Sequence, residues 1–502
     1  MRPLPLLLLL LLLLAALPPA RAQMRYGDFE RDSPWLTGVN AAGVRCDTVS
    51  RSVARLRVGH ESGALVDRSG SDNCWQAGAA TRSVRHLERI SFFGGFGYDY
   101  FDGRNMSGSM FIRPGYYPVD LVEFTPGRKI RECYDLTGGV AVPVGERWVV
   151  GLRADFTAAN YAKRKDLRHK NKRLDVEVAP GILYRAGRFA AGAALRLAKN
   201  SERIEAEEVG SSAASYEVFL DKGLAYGIRT QWESGDLHLT EEGISGFPVR
   251  EMLLGGALQL SYGALFVEGE AGRSRGETGE KGVLWHTFEG EWMKLRAVVR
   301  FDRGAHRHRV RASFGRRLQL SRENILVRES EGNITTTRLY GSMPLYGRRL
   351  LEAGLEYELF APRTELRATL GWEELSERST LIYPEVRRER LRRLSLSLRA
   401  LRRFGRWELL AAADVSGGDS SAGELRLESD LVSGSYPDRQ EELRAWEVEY
   451  RTAPRLGVEA GLRCNIGRCY VDLAGRYERG FALRTIPQPY RLRCVLSGGV
   501  NF

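Results

Sequence analysis

Beyond residue 17 the 502-residue chain has no apolar run approaching the roughly 18 residues that a membrane-spanning helix needs. A bundle of transmembrane helices is therefore excluded. Cysteine is scarce, with six residues, too few for a scaffold held by disulfides. No Cys-x-x-Cys pair points to a metal knuckle. Neither a G-x-S-x-G elbow nor a phosphate-binding loop occurs; Gly94-Gly95-Phe96-Gly97 lacks the Lys-Ser/Thr that such a loop requires. Mean hydropathy is only −0.32. Glycine, by contrast, is plentiful at 55 residues, and 75 Lys and Arg against 63 Asp and Glu give a net charge of +12.

The N-terminus sets the compartment. Arg2 precedes the unbroken run Leu6 to Leu14, and Ala20-Arg21-Ala22 is a small-x-small cleavage site. This is the layout of a secretory signal peptide over 1–22, so the mature chain is expected to start at Gln23. As a retained anchor, the run would be too short to span comfortably. Export makes nucleic acid a poor partner for the positive charge. Anionic headgroups, sugar phosphates or an anion-favouring lumen suit it better, beside plain solvation. Disulfides are permitted outside the cytoplasm: Cys464 and Cys469 flank a four-residue connection and are one candidate pair, Cys46 and Cys74 another.

The dominant signal is period-2 alternation. Trp148, Val150, Leu152, Ala154 and Phe156 alternate with Val149, Gly151, Arg153 and Asp155; Leu174, Val176 and Val178 alternate with Asp175, Glu177 and Ala179. After Arg185-Ala186-Gly187-Arg188, Phe189 to Leu197 continues in the same way. The rhythm recurs at Met252–Tyr262, Met293–Phe301, Val310–Phe314, Leu351–Leu359, Leu366–Trp372, Leu394–Ala400, Trp407–Ala413 and Leu456–Leu462. Successive side chains of a strand point to opposite faces, so one face meets an apolar medium and the other a polar one. Many segments have the length that a tilted strand needs to cross a bilayer, and aromatics cluster at their ends as in interfacial girdles. Short turns (185–188, 361–363, 402–406) alternate with long polar connections (163–173, 201–214, 228–248, 273–288, 321–348, 373–390).

These features predict an all-β protein: a transmembrane antiparallel β-barrel of about 14–18 strands with long external loops and short periplasmic turns. A secreted soluble all-β protein is the other class compatible with the composition. Residues 23–50 are expected to form an N-terminal plug or periplasmic piece, and 51–502 the barrel. To keep the C-terminus periplasmic, an extra strand is expected at Leu425, Leu427, Ser429 and Leu431. Trp446, Val448 and Tyr450 then start another strand, with a short external turn at Thr452-Ala453-Pro454-Arg455. In the final strand Tyr490, Leu492, Cys494, Leu496, Gly498, Val500 and Phe502 share one face. A terminal aromatic with alternate apolar residues resembles the signal read by the barrel-assembly machinery of Gram-negative bacteria; Tyr490, Leu492, Leu496, Val500 and Phe502 are its candidate residues.

Catalytic, cofactor and metal residues are not expected. His306 and His308 share a strand face, but no third ligand stands nearby. The basic run Lys163, Arg164, Lys165, Arg168, Lys170, Lys172 and Arg173 is expected in an external loop, where it either meets lipopolysaccharide phosphates and acidic glycans or is simply solvated. Arg387 to Arg393 invites the same two readings. Asn105-Met106-Ser107 and Asn333-Ile334-Thr335 match the glycosylation pattern but mean little in a bacterium.

The stretch Ser33-Pro34-Trp35-Leu36 with Asn40-Ala41-Ala42-Gly43 resembles the opening of an uncharacterised family of Bacteroidota outer-membrane proteins. Its Asn-Ala element is loosely similar to the N-terminal region of long-chain fatty-acid transporter barrels. The first resemblance implies location and fold; the second would imply a hydrophobic cargo. Three functions stay open: a barrel that passes or binds a small solute, a surface or assembly component acting through its loops, and a barrel-embedded hydrolase.

Overall fold

The computed structural model describes residues 26–502 apart from 166, 208–215, 226, 233–245, 281–282, 332–333, 381–385 and 426–437. The expected signal peptide, the start at Gln23, Asn333 and Leu427, Ser429 and Leu431 lie outside the described residues.

Twenty strands form one sheet. The first seven are β1 Arg51–Ser62, β2 Asn73–His86, β3 Ser91–Ser109, β4 Asp120–Val144, β5 Trp148–Lys163, β6 Arg168–Ala186 and β7 Phe189–Glu207. A short hairpin follows, β8 Tyr216–Asp221 and β9 Gly227–Trp232, and then β10 Phe247–Tyr262, β11 Leu265–Glu280, β12 Val283–Arg303, β13 His306–Glu331 and β14 Ile334–Phe360. The last six are β15 Thr364–Ser379, β16 Val386–Phe404, β17 Trp407–Leu425, β18 Arg455–Ile466, β19 Cys469–Gly480 and β20 Tyr490–Asn501. β7 pairs directly with β10, while β8 and β9 pair with each other and β8 also with β4. β1 pairs with β20, Val53 opposite Asn501 and Ser62 opposite Leu492. Without the hairpin, 18 antiparallel strands close on themselves.

Alternation decides which face is which. Leu152, Phe156, Val176, Leu197, Leu258, Leu295, Leu355, Leu396 and Leu473 are exposed on the outside of the ring. Their neighbours Arg153, Glu177, Arg196, Gln259 and Glu268 point inward and engage one another or the N-terminal segment. Such an apolar exterior is stable only against lipid. Tight two-residue turns join the strands at one end: Ala186 faces Phe189 across Gly187-Arg188, where Gly187 has φ +59°. That left-handed backbone matches the twist of a hairpin and suits glycine.

Three expectations change. The described part of the connection between β17 and β18 carries a helix, α2 Asp438–Thr452, so Trp446, Val448 and Tyr450 are helical rather than extended. Trp446 and Tyr450 are four apart, a spacing that suits one helical face as well as a strand's alternation. No extra strand is needed to keep the C-terminus periplasmic, because β17 pairs directly with β18 and 452–455 is a helix-to-strand junction. The expected loops are also largely strand: β13 and β14 run through most of 321–348, and β6 begins at Arg168. Above the lipid the outer face is polar, so alternation fades although the ladder continues. Finally, all six cysteines are free. Cys46 lies at the periplasmic end and Cys74 opposite Glu61 at the other end of the ring, much too far apart for a bond. Cys464 and Cys469 flank the β18–β19 turn unbonded.

Candidate functional site: a lumen occupied from both ends

Two segments enter the ring. From the periplasmic side come α1 Tyr26–Asp32 and a 3-10 helix, Ala41–Cys46. The Asn40 side chain caps that helix by accepting from the Ala42 N–H at 3.0 Å. Its Nδ2 donates to the wall, to the Ile182 carbonyl at 2.9 Å and that of Ala193 at 3.3 Å. Ala42 is fully buried against Gly151, where a Cβ would strike the helix backbone. Trp35 packs edge-on against Phe266 with ring centres 5.2 Å apart and donates from Nε1 to Ser261 at 3.3 Å. The Trp-Leu and Asn-Ala-Ala-Gly residues are thus the contact points of an inserted segment, which explains the small side chains at 41–43.

Arginines from the wall hold this segment. Arg296 donates to the Pro34 carbonyl at 3.0 Å, and Arg153 to that of Gly38 at 3.0 Å. Asp32 pairs with Arg309 at 3.0 Å and Arg307 at 3.3 Å, and Glu30 with Arg82 at 2.8 Å. Arg309 also pairs with Glu358, and both side chains are buried. Burial pushes the Cys46 thiol at the end of the 3-10 helix up to about 12.

From the outer side the connection 110–119, between β3 and β4, crosses the lumen. Met110, Phe111, Tyr117 and Val119 are buried. Asn171 on β6 donates to the Met110 carbonyl at 2.6 Å, and Glu202 on β7 accepts from the Ile112 N–H at 2.8 Å. Tyr116 reaches β10, its hydroxyl donating to Glu251 at 2.7 Å, and Gln319 on β13 donates to the Tyr116 carbonyl at 3.1 Å. Burial and the Glu251 charge raise the Tyr116 phenol to about 12. Arg348 on β14 donates to the Gly115 carbonyl. Arg113 lies 3.9 Å and Arg317 4.4 Å from the centre of the Tyr116 ring. Arg113 pairs with Asp175 at 3.2 Å, whereas Arg317 has no carboxylate partner among the described residues.

Between the two segments, Arg196 pairs with Glu177 at 2.7 Å and Glu270 at 2.6 Å and lies 4.9 Å from the Trp292 ring centre. Lys294 on β12 is exposed to the lumen and makes no ion pair among the described residues. Cavities remain beside the segments: one of ≈ 380 Å³ against β1–β5 with Arg55, Arg57, Asp99 and Asp135, and one of ≈ 260 Å³ at Arg113, Tyr116, Arg317 and Arg348. A third, of ≈ 350 Å³, lies above 110–119 and under α2, with Arg68, Asp221, Glu377, Arg444 and Glu447 on its walls.

A sequence profile of one protein family matches residues 41–502. The chain belongs to that family, DUF6850, a family of unknown function. The match begins at the first residue of the inserted 3-10 helix and runs to the last strand. No curated protein sequence matches the chain. Among solved structures, similarity is found to CdiB from Acinetobacter baumannii (11% identity, TM-score 0.38, 90% of this chain and 60% of that one). It is also found to BauA, the ferric preacinetobactin receptor of A. baumannii (7%, 0.41, 90% and 80%). The FrpB iron transporter of Neisseria meningitidis, F3-3 variant, is a third (10%, 0.42, 92% and 83%). The chain thus spans under two thirds of the length of CdiB.

The residues singled out in the sequence scatter over this frame. Lys163 is not in a loop: it ends β5, buried beside Glu123. Arg173 pairs inward with Asp175. Arg164 and Lys165 are exposed in the short connection, and Lys170 and Lys172 lie exposed on the outer face of β6. Tyr490, Leu492, Leu496 and Val500 stand on the outer face of β20, with Phe502 just beyond it. His308 stacks on Phe301 at 4.8 Å and hydrogen-bonds Tyr357 at 2.8 Å. Among the described residues no group of three or more His, Cys, Asp or Glu is placed to hold a metal ion. Sequence reasoning missed the 110–119 segment; its signal was Arg113-Pro114-Gly115-Tyr116-Tyr117-Pro118, a turn flanked by aromatics too large for a solvated loop.

Proposed function

We propose that this protein is an exported outer-membrane barrel, freed of residues 1–22, that binds and admits a small anionic solute. Arg113, Arg317 and Arg348 converging on the inserted segment 110–119 carry this reading, because Arg317 has no carboxylate partner among the described residues. Lys294 adds a second cation lower in the lumen that makes no ion pair among the described residues. A low-dielectric wall concentrates the field of such charges and draws in anions. The charged lumen favours a polar anion over the hydrophobic cargo that the fatty-acid transporter resemblance implies. Kinship with Bacteroidota barrels, and Tyr490, Leu492, Leu496, Val500 and Phe502 as the residues offered to the assembly machinery, belong to the same reading.

Zero-current potentials across planar bilayers under a KCl gradient test it. Anion selectivity is expected, reversing toward cations in Arg317→Glu/Lys294→Glu. Cation selectivity in the wild type, or selectivity indifferent to both changes, removes the reading.

A further inference from the structure

We propose that the outer face of β14–β16, just above the lipid belt, binds the phosphate groups of a phosphorylated glycolipid in the outer leaflet. On β16 the outward series runs Arg388, Arg390, Arg392 and then Leu394, Leu396 and Leu398. Residues two apart on a strand lie roughly 7 Å apart, so three guanidiniums are stacked where hydrocarbon gives way to headgroups. β15 faces them with Arg378 opposite Arg388, Ser376 opposite Arg390 and Glu374 opposite Arg392. β14 adds the exposed Arg349 opposite Ser376.

Acidic residues satisfy only the lower edge of this cluster. Glu374 pairs with Arg392 at 3.0 Å and Arg349 at 3.2 Å, and Asp419 stands 3.9 Å from Arg392. Arg378, Arg388 and Arg390 are exposed and make no ion pair among the described residues. Like charges directly opposed across a ladder are unfavourable unless an anion lies between them. Guanidinium forks fit a phosphate through two parallel hydrogen bonds. Beside the cluster β17 presents the uncharged Gly417 and Ser421, and the outward Lys170 and Lys172 of β6 stand on the far side of the ring. The cluster is therefore a local patch, and its position over Leu394 and Trp372 puts acyl chains directly beneath the bound phosphates.

The test uses full-length protein in phosphatidylcholine vesicles containing a diphosphorylated glycolipid, with retained glycolipid per barrel counted by native mass spectrometry. Arg378→Gln/Arg388→Gln/Arg390→Gln is expected to retain on the order of tenfold less, as loss of several charge-assisted bonds implies. Arg402→Gln, an outward arginine at the opposite membrane edge, should retain as much as wild type. Equal retention in the triple variant overturns the proposal. Displacement by millimolar inorganic phosphate would assign the site to free phosphate and overturn the lipid. If the triple variant does not assemble, wild-type protein decides: preference for the diphosphorylated over the dephosphorylated glycolipid supports the site, and no preference overturns it.

Discussion

Asn40 and Gly181 fit each other as peg and socket: the side chain lies where a Cβ on Gly181 would have to be, and its amide bonds the carbonyl of the next residue, Ile182. The inserted segment depends on this missing side chain. Gly181→Val should dislodge it and raise single-channel conductance well above wild type. Asn40→Ala should have a smaller effect, because it removes three hydrogen bonds worth about 1 kcal/mol each without adding a clash. Unchanged conductance in Gly181→Val would mean that the segment does not obstruct the lumen.

The buried pair Arg309–Glu358 is flanked by Arg31, Asp32 and Arg367. Removing Glu358 leaves Arg309 with Asp32 alone and takes a buried carboxylate from Arg31 and Arg367, so Glu358→Ala should cost about 3 kcal/mol. Arg309→Met/Glu358→Leu should recover much of that loss. Urea titrations followed by the gel shift between folded and unfolded barrel provide the comparison. Additive losses in the double variant would contradict it.

The seat of α2 over the outer cavity is expected to weaken in acid. Burial raises the Glu447 carboxyl, but Arg451, Arg68 and Arg444 more than offset this and hold it below its ordinary 4.5. A depressed carboxylate contributes stability that is complete above its unfolded value and is lost as pH falls through the folded one. Amide exchange in 438–452, corrected for intrinsic rates, should stay level down to about pH 4.5 and then rise, and Glu447→Gln should flatten that response.

Cys46 should resist alkylation at pH 8, since almost none of a thiol raised to about 12 is thiolate there. Labelling should become rapid in Gly181→Val, where the 3-10 helix leaves its seat. Intact-mass measurement distinguishes the two. Equal rates would place Cys46 outside the packed segment.

How much of this could be read from the chain depended on whether a strand had lipid on one side. Leu174–Tyr184 and Leu394–Ala400 alternate cleanly because their outward residues meet hydrocarbon, and both are strand. Glu323–Glu331 extends the same ladder into water, where nothing demands alternation, and it reads as a loop. Trp446 to Tyr450 shows the opposite ambiguity, since the four-residue spacing of Trp446 and Tyr450 fits either period. The lumen was legible in composition only. Arginine on inward faces is visible in sequence, but which carboxylate meets Arg309, and that Arg317 meets none among the described residues, follows from register between distant strands. Asn40 stood out as a motif, yet its purpose is set by Gly181, far away in sequence.

The hairpin β13–β14 has a consequence of its own. Its arms of 26 and 27 residues are well beyond what a bilayer crossing requires. At about 3.3 Å per residue, each would stretch roughly 85 Å along its axis. Even when tilted, more than half of each arm stands clear of the hydrocarbon. Past Glu323 and Tyr346 neither flanking strand continues the pairing among the described residues, so the outer part of this ribbon is held by its own ladder and offers two open strand edges to whatever approaches the barrel from outside.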